Sequence, residues 1–210
     1  MKIAVIGAGR LGTALGGRLA EAGHRIIYAS ATAASAEKAA QRTPGGTADT
    51  TAGAVAACEL AILAVPYHAV ADALDTAGTF GGRILWSCVN ALKPDYSGLA
   101  CGFDTSAGEQ VAGLARDARV VAALPPFADR IASGQLDFSG QASTVFCCSD
   151  DAGAKAVVAG LLRDVGASPA DAGPLAASRL VEPAMMLLVA LTYATTPPRP
   201  HGLALLSAER

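Results

Sequence analysis

The stretch VIGAGRLGTALGGRLAEAGHRIIYAS, residues 5–30, places a glycine-rich turn between two apolar runs. Gly7, Gly9 and Gly12 form the pattern G-x-G-x-x-G directly after the run Lys2–Ile6. Leucines at every fourth position follow the turn, and this spacing is typical of a helix. The stretch therefore predicts a strand, a tight turn, a helix and a second strand.

The three glycines have separate roles in a dinucleotide-binding turn. The first turns the chain, the second lets the backbone approach a pyrophosphate, and the third packs the helix against the strand. The free amides at the start of the helix supply donors for the anion. An ordinary tight turn is the alternative. On the dinucleotide reading, the contacts come from Gly7, Ala8, Gly9, Arg10, Leu11 and Gly12.

The end of the second strand bears on which dinucleotide is bound. Proteins that bind NAD place an acidic residue there, where it holds the ribose 2′-hydroxyl. This chain has Ala29 and Ser30 instead, followed by Thr32. Without a carboxylate nothing repels a 2′-phosphate, and the two hydroxyls can donate to one. We expect NADP(H) rather than NAD, with helix capping as the alternative role of Ser30 and Thr32.

The rest of the chain repeats the alternation of strand and helix. The strand-like runs are continuous rather than alternating, as in parallel strands buried on both faces. Their ranges are Leu60–Val65, Arg83–Ser87, Val120–Leu124 and Ser143–Cys148. We predict an α/β fold, a doubly wound parallel sheet of the Rossmann, NAD(P)-binding type, with a small C-terminal helical extension. Residues 1–150 form the dinucleotide-binding domain, and residues 151–210 a part for acceptor binding and dimerisation.

Composition narrows the class of partner. The 210 residues carry a net charge of −2 and no basic run, so no nucleic-acid partner is expected. The five cysteines contain no C-x-x-C pair, which argues against a metal site and against a disulfide framework. The apolar run Met185–Leu191 is too short to cross a bilayer, so no membrane partner is expected. The first residues show no export leader, and we expect a cytoplasmic protein that binds a small molecule.

Two loops follow strands at the edge of the sheet where such folds bind ligands. They read AVPYHAV, residues 64–70, and CVNAL, residues 88–92. We expect Ala64, Val65, Pro66 and Asn90 beside a nicotinamide ring. Candidate proton donors are Tyr67, His68 and Tyr193, although His68 can equally face water as an ordinary loop residue.

Four segments resemble the NADP-dependent reductases of the 8-hydroxy-5-deazaflavin coenzyme F420. They are MKIAVIGAGRLGTALGGRLAEAGH, ACELAILAVPYHAV, TSAGEQVAGLARDARVVAAL and, most specifically, DAGPLAASRLVEP at residues 171–183. The resemblance implies a hydride passed directly between NADPH and the deazaflavin, in a cleft near the C-terminal segment. This chain departs from the family at Ala31, where an arginine is frequent, and at Pro125 and Pro126, where a polar residue is frequent.

On this resemblance the acceptor wall consists of Leu124, Pro125 and Pro126 together with Pro174, Ala177, Ser178 and Arg179. The alternative for the last segment is structural, with Arg179 and Glu182 paired on a helix surface. SAGE, residues 106–109, predicts a capping box that begins a helix. Other functions stay open: reduction of a flavin, an imine or a carbonyl compound, or a redox sensor that binds NADP without turnover. The apolar run Met185–Leu191 further suggests a homodimer, with a helix buried within one chain as the alternative.

Overall fold

The computed structural model describes residues 1–95, 97–206 and 208. The strands of this part of the chain are β1 (Lys2–Ile6), β2 (Arg25–Ala29), β3 (Thr47–Ala48), β4 (Leu60–Leu63), β5 (Ile84–Ser87), β6 (Arg119–Ala123), β7 (Asp137–Phe138), β8 (Gln141–Ala142), β9 (Thr144–Cys148) and β10 (Ser168–Gly173). The helices are α1 (Arg10–Glu21), α2 (Ala33–Gln41), α3 (Thr51–Ala57), α4 (Val70–Ala77), α5 (Ala107–Leu114), α6 (Ala128–Ala132), α7 (Ala152–Asp164) and α8 (Ser178–Tyr193). Single turns of 3-10 helix, Tyr67–Ala69 and Leu175–Ala177, lead into α4 and α8.

The main sheet has the strand order β10-β9-β6-β5-β4-β1-β2-β3. β1 lies at the centre, parallel to β2 on one side and to β4 on the other, and the parallel pairing continues through β5 to β6. This order is that of a Rossmann-like NAD(P)-binding fold, so the predicted fold class is confirmed. The sheet brings the ends of β1, β4 and β5 to one edge.

One side of the sheet departs from the parallel prediction. β9 pairs with β6 in the antiparallel sense, and β10 then pairs with β9 in parallel. β10 itself was not predicted, because its sequence SPADAG contains little apolar surface and includes a proline. Both properties are tolerated on an edge strand, whose outer side faces solvent.

The helices cover both faces of the sheet. α1, α2, α6 and α7 pack on one face against a cluster that includes Leu15, Tyr28 and Trp86. α3, α4, α5 and α8 pack on the other face, around Leu63 and Phe80. The sheet therefore lies between two apolar layers, as the continuous apolar strands predicted.

The division predicted at residue 150 falls between β9 and α7, inside this layered structure. Since β10 extends the same sheet, the C-terminal part is not purely helical. The division stays a prediction, and residues 207, 209 and 210 of its second part lie outside the described residues.

The C-terminal helix is longer than its most apolar run. The stretch Leu175–Tyr193 has 19 residues and is long and apolar enough to cross a bilayer, judged by length and composition alone. The shortness of the run Met185–Leu191 therefore does not exclude a membrane partner for the whole helix. One such helix is weak evidence for a membrane span, because core helices of other proteins have the same composition.

Candidate functional site

The glycine turn after β1 contains two glycines that the protein itself requires. Gly7 has a φ of +109°, and a Cβ there would lie 2.4 Å from the carbonyl oxygen of Ala64. A Cβ on Gly12 would lie 2.0 Å from the carbonyl oxygen of Gly7. Both clashes are with backbone atoms, so neither can be relieved by a rotamer change. The first glycine thus allows the turn, and the third lets α1 pack against it.

Gly9 differs from its two neighbours in the motif. A Cβ built on Gly9 has no atom within 4 Å in the described structure, and its φ is −80°. Neither packing nor backbone conformation requires glycine here. What the missing side chain provides is open access to the backbone at the start of α1, as a pyrophosphate needs.

The start of α1 is open to an anion. Its N-cap residue, Gly9, makes no side-chain cap hydrogen bond, and no acidic residue lies in the first turn. The first amides of a helix have no partner within the helix. These amides, together with the helix dipole, favour a phosphate at this place.

A cavity of about 560 Å³, which we call the main cavity, opens beside this turn at the ends of β1, β4 and β5. This volume is typical of small-molecule sites. The predicted residues that line it are Gly9, Arg10, Leu11, Ala64, Val65, Pro66, Tyr67, His68, Asn90 and Tyr193. The sheet thus brings together residues from the glycine turn, from both predicted loops and from the end of α8. The lining residues that the sequence analysis missed include Lys93, Phe127 and Asp129.

Asn90 presents an unpaired polar atom at this wall. Its Nδ2 donates to the backbone carbonyl of Glu182 at 3.3 Å, which fixes the side chain against α8. Its Oδ1 is buried and has no hydrogen-bond partner in the described structure. A buried acceptor without a partner is costly unless a ligand donates to it. Asn90 and the open backbone at Gly9 therefore both fit a dinucleotide whose nicotinamide end lies in the main cavity.

The three candidate proton donors differ in their surroundings. The hydroxyl of Tyr67 donates to Oε1 of Gln110 at 2.7 Å, and burial raises the pKa of this phenol. Its one proton is therefore committed to Gln110 rather than directed at a ligand. His68 is exposed, and Tyr193 is 67% exposed at the end of α8. This arrangement favours holding a ligand over giving it a proton.

The hydroxyls after β2 do not cap α2. Thr32 is the N-cap residue of this helix, but its side chain makes no cap hydrogen bond and donates instead to Oγ of Ser35 at 2.8 Å. Ser30 lines a separate cavity of about 410 Å³ with Asp49, Thr50 and other residues. The capping alternative is thus not what the structure shows for Thr32.

Arg10 forms an ion pair that the sequence analysis missed. Its guanidinium bonds to the carboxylate of Asp129 on α6, 119 positions later, and both side chains are about three quarters exposed, at 77% and 76%. Both residues also line a cleft on the other side of the pair. The ion pair therefore lies where two recesses of the surface meet.

The first half of the predicted acceptor wall lies next to the main cavity. Leu124, Pro125 and Pro126 line an apolar side cavity of about 140 Å³. Residues that it shares with the main cavity are Cys88, Asn90, Leu92 and Phe127. Its other wall is formed by Met185, Leu188 and Val189 of α8, which belong to the apolar run predicted for a dimer contact rather than for the acceptor wall.

The structure places the second half of the predicted wall outside these two cavities, and its contact with an acceptor stays a prediction. Pro174, Ala177, Ser178 and Arg179 line neither the main cavity nor the side cavity. The hydroxyl of Ser178 is buried against Ser106, with the two oxygens 3.1 Å apart, and Arg179 makes two hydrogen bonds to Glu109 at 2.8 and 2.6 Å. Their donors are engaged within the protein, because α8 crosses α5 at this point.

Glu182 completes this α5–α8 interface, which consists of Ser106, Glu109, Ser178, Arg179 and Glu182. It is 1% exposed, and its two carboxylate oxygens accept hydrogen bonds from the amides of Ala107 and Gly108 at 2.9 and 3.0 Å. The alternative interpretation, a pairing of Arg179 with Glu182, is not what the structure shows, because each of the two side chains makes two hydrogen bonds to α5 instead. The N-cap half of the predicted capping box is confirmed, since Oγ of Ser106 accepts from the amide of Glu109 at 3.1 Å, whereas the Glu109 carboxylate accepts from the Ser106 hydroxyl rather than from its amide.

The pKa values of the two carboxyl groups in this interface are shifted in opposite directions. Burial raises the pKa of Glu182 above its ordinary value, although the two amides oppose the effect. The hydrogen bonds from Arg179 lower the pKa of Glu109. The carboxyl of Glu182 is thus hydrogen-bonded to helix amides but loses its hydration on burial, whereas the carboxylate of Glu109 is stabilised by a cation near the surface.

The strand order and the glycine turn define a Rossmann-like NAD(P)-binding fold. Residues 2–91 match the model of the family described as NADP oxidoreductase, coenzyme F420-dependent. The resemblance noted from the sequence is confirmed over these residues, which run from β1 to the loop after β5. The matched segment contains the glycine turn and Asn90.

Solved structures extend the likeness over the whole chain. A protein of Arthrobacter sp. FB24, described provisionally as an F420-dependent NADP reductase, is 27% identical with a TM-score of 0.87, over 99% of this chain and 100% of that one. A hypothetical protein from Sinorhizobium meliloti is 29% identical with a TM-score of 0.75, over 85% of this chain and 87% of that one. A reductive aminase from Aspergillus terreus, in complex with NADPH4, cyclohexanone and allyl amine, is 20% identical with a TM-score of 0.68. The match covers 92% of this chain and 62% of the aminase, and it shows the fold alone.

Proposed function

We propose that this protein is an oxidoreductase that transfers a hydride between NADP(H) and a deazaflavin coenzyme of the F420 type. The family match over residues 2–91 and the likeness to the Arthrobacter protein support both partners. The observation that carries the proposal is the pair of joined cavities. The main cavity extends from the glycine turn past Asn90, and an apolar side cavity between the end of β6 and α8 shares Asn90 and Phe127 with it.

The residues of the site act by holding two rings. When bound, NADPH would supply a hydride, that is two electrons with one proton, and the further proton that the acceptor needs would come from water. The amides at the start of α1 would hold the pyrophosphate, and Oδ1 of Asn90 would accept a hydrogen bond from the carboxamide. Leu124, Pro125 and Pro126 offer an apolar surface to a flat ring and exclude water. Positioning of this kind can supply most of a hydride-transfer rate.

Reduction of a carbonyl or imine compound fits these residues less well. Such acceptors need a proton delivered to oxygen or nitrogen at the moment of transfer. The hydroxyl of Tyr67 donates a hydrogen bond to Gln110 rather than to the cavity, and Tyr193 is mostly exposed at a helix end. A deazaflavin needs no dedicated donor, which favours it over these acceptors.

The decisive experiment measures turnover of the purified protein with a panel of acceptors. NADPH is mixed with the deazaflavin coenzyme, with flavin mononucleotide, with a cyclic imine, with a ketone or with no acceptor, and the nicotinamide absorbance is followed. We expect oxidation with the deazaflavin and little with the others. Turnover only with another acceptor would replace the deazaflavin in the proposal, and tight NADPH binding without any turnover would favour a redox sensor.

We also propose that the protein is a homodimer that meets through α8. Leu180, Leu187 and Leu191 are 71%, 58% and 44% exposed, and they share one face of this helix. Exposed apolar surface of this kind is commonly covered by a partner. Light scattering at micromolar concentration should give a dimer mass that Leu187→Glu converts to a monomer, while Leu114→Glu on α5 leaves it unchanged. A monomer for the unaltered protein, or binding to phospholipid vesicles through α8, would reject this arrangement.

A further inference from the structure

The side cavity is smaller than a site for a ring-sized acceptor. Its volume is about 140 Å³, whereas sites for small molecules commonly have about 300 to 1,000 Å³. One wall consists of Leu124, Pro125 and Pro126, which continue a buried strand of the sheet through two prolines of fixed φ. The opposite wall is the second half of α8. A wall must therefore move before a flat ring can enter.

The helix α8 divides at Pro183 into two halves with different anchoring. Proline has no amide hydrogen, so it cannot donate to the carbonyl of Arg179 one turn earlier, and its ring crowds this carbonyl. Sharp bends in helices commonly occur at such prolines. The first half is fixed to α5 by Ser178, Arg179 and Glu182. The second half, residues 184–193, begins directly after this weak point.

The second half of α8 has few buried contacts. Within residues 184–193 only Leu188 and Thr192 are buried. Met185, Leu188 and Val189 border the side cavity rather than closely packed protein. Segments with few buried apolar contacts and exposed backbone open at a low cost in free energy. This half of α8 can therefore shift while the first half stays bound to α5.

A short segment after α8, residues 199–205, ties the end of this half to the sheet, and we call it the strap. The amide of Arg199 donates to the carbonyl of Thr192 at 3.1 Å. The carbonyl of Leu203 accepts from the amide of Thr144, at the start of β9, at 2.7 Å. Oγ1 of Thr144 accepts from the amide two positions further along the strap at 3.0 Å. The strap thus joins the last turn of α8 to the sheet.

Gly202 lets the strap lie against the hairpin of β7 and β8. A Cβ at this position would lie 2.8 Å from the ring of Phe138. The guanidinium of Arg130 on α6 covers this ring, 4.7 Å from its centroid, so the ring is held in place from its other side. A larger side chain at position 202 must therefore push the strap away from the hairpin.

Two polar atoms at this end of the protein are unsatisfied when the strap is in place. Oγ1 of Thr192 and Nδ1 of His201 are buried, and neither has a hydrogen-bond partner in the described structure. Buried polar atoms without partners are unfavourable. Release of the strap would expose both atoms to water, which offsets part of the cost of breaking its hydrogen bonds.

We propose that residues 184–193 form a hinged wall, which swings about Pro183 to enlarge the side cavity, and that the strap is the latch that holds this wall closed. The inference rests on the proposed binding of a flat acceptor in the side cavity. Such an acceptor fits the open state better than the closed one, so its apparent affinity follows the fraction of protein whose latch is released.

Amide hydrogen exchange of the free protein tests the hinge without any acceptor. Gly202→Val should release the strap and raise exchange at least about tenfold in residues 184–193 and 199–205, while α5 and the first half of α8 keep their rates. Pro183→Ala restores the missing amide and should slow exchange in the second half of α8. Gly98→Val is the matched control, because its Cβ position in another loop is open.

Steady-state kinetics with NADPH and the deazaflavin coenzyme then measure the consequence for the acceptor. Gly202→Val should lower the acceptor's KM about threefold, since more of the protein is open, and Pro183→Ala should raise it about threefold. Gly98→Val should leave it unchanged.

Two exchange patterns overturn the hinged wall without touching the proposed function. In one, Gly202→Val leaves exchange in residues 184–193 unchanged, and the strap is then no latch. In the other, exchange rises equally throughout the chain, which makes the strap a support of the whole fold. Unchanged exchange in Pro183→Ala would likewise reject the hinge. A different result, no turnover of the deazaflavin by the unaltered protein, would overturn the proposed function, while exchange in the free protein still decides whether the wall is hinged.

Discussion

Two regions of the molecule contain the same kinds of polar group, namely hydroxyls, charged side chains and helix amides. One region comprises the starts of α1 and α2, and the other is the α5–α8 interface. At the α5–α8 interface each group finds a protein partner: Arg179 meets Glu109, and Glu182 meets two amides. On α2, within the described residues, the side chain of Lys38 makes no hydrogen bond or ion pair, and the hydroxyl of Ser35 accepts from Thr32 but donates to no group. Residue type alone therefore does not distinguish a candidate binding site from a packing contact. What distinguishes them is whether the polar groups already have hydrogen-bond partners within the protein.

The largest effect should come from filling the open space at Gly9. A valine there has room in the protein itself but occupies the path of the pyrophosphate, so Gly9→Val should weaken NADPH at least about a hundredfold. The free energy of unfolding should change by less than about 1 kcal/mol.

Gly17 provides the matched control, because its Cβ position is equally open and it lies in the same helix. Fluorescence titration and urea unfolding of Gly9→Val and Gly17→Val separate the two effects. If Gly9→Val bound NADPH normally, the start of α1 would not be a ligand site, and the contrast with the α5–α8 interface would disappear.

The next effect in size should come from Glu182→Gln, which alters the carboxylate that accepts from two backbone amides in the α5–α8 interface. Glutamine at position 182 accepts one hydrogen bond but turns an NH₂ towards the second amide, leaving buried donors opposed. Glu182→Gln should lower the free energy of unfolding by about 2 to 3 kcal/mol. NADPH affinity should stay within about twofold, since the interface holds helices rather than ligand.

Urea unfolding and NADPH titration of Glu182→Gln check this, with Asp75→Asn as the control for loss of an exposed carboxylate. A variant that is fully stable yet unable to bind NADPH would assign Glu182 to the site and reverse the comparison.

A smaller effect is expected at the end of β2. Ser30→Asp places a carboxylate at the end of β2, where Rossmann proteins recognise the ribose 2′ position, and repulsion of a 2′-phosphate should lower the preference for NADPH over NADH about tenfold. Dissociation constants of both dinucleotides for Ser30→Asp and Ser30→Ala measure it. Equal affinity of the unaltered protein for NADH and NADPH would contradict the expectation.

The smallest effect concerns pH and the two interface carboxylates. Because the pKa of Glu182 is raised on folding, its contribution lowers the free energy of unfolding as pH rises from the ordinary glutamate value to the raised one. Glu109 has the opposite sign: its lowered pKa stabilises the fold above the ordinary value, and this is lost as pH falls through the lowered one. Urea unfolding across acidic to neutral pH should show the first slope vanish in Glu182→Gln and the second in Glu109→Gln. Unchanged slopes in both would separate these groups from the pH dependence.

The sequence predicts the first thirty residues well because their information is local. The glycine spacing, the leucine repeat and the strand that follows all lie within a few turns of one another, and the structure reproduces them. The cavity wall from Ala64 to Asn90 was also foreseen, since parallel strands must end at one edge.

The α5–α8 interface could not be predicted in the same way. Arg179 and Glu182 have partners 70 and 75 positions earlier, and nothing in the helix itself distinguishes a side chain that binds α5 from one that binds a ligand. β10 was missed for a related reason: its edge position removes the apolar run that marks the other strands. Asp129 reaches Arg10 only through the packing of α6 on α1.

Because Arg10 is paired with Asp129, the carboxylate of Asp129 already serves as a counter-ion to this arginine at the edge of the main cavity. A phosphate that takes over the guanidinium exchanges one anion for another, and it releases fewer dissolved ions than a bare cation would. We therefore expect dinucleotide binding to weaken with added salt less steeply than the cations around the groove would suggest. Asp129 should therefore reduce the dependence of dinucleotide affinity on the ionic strength around the protein.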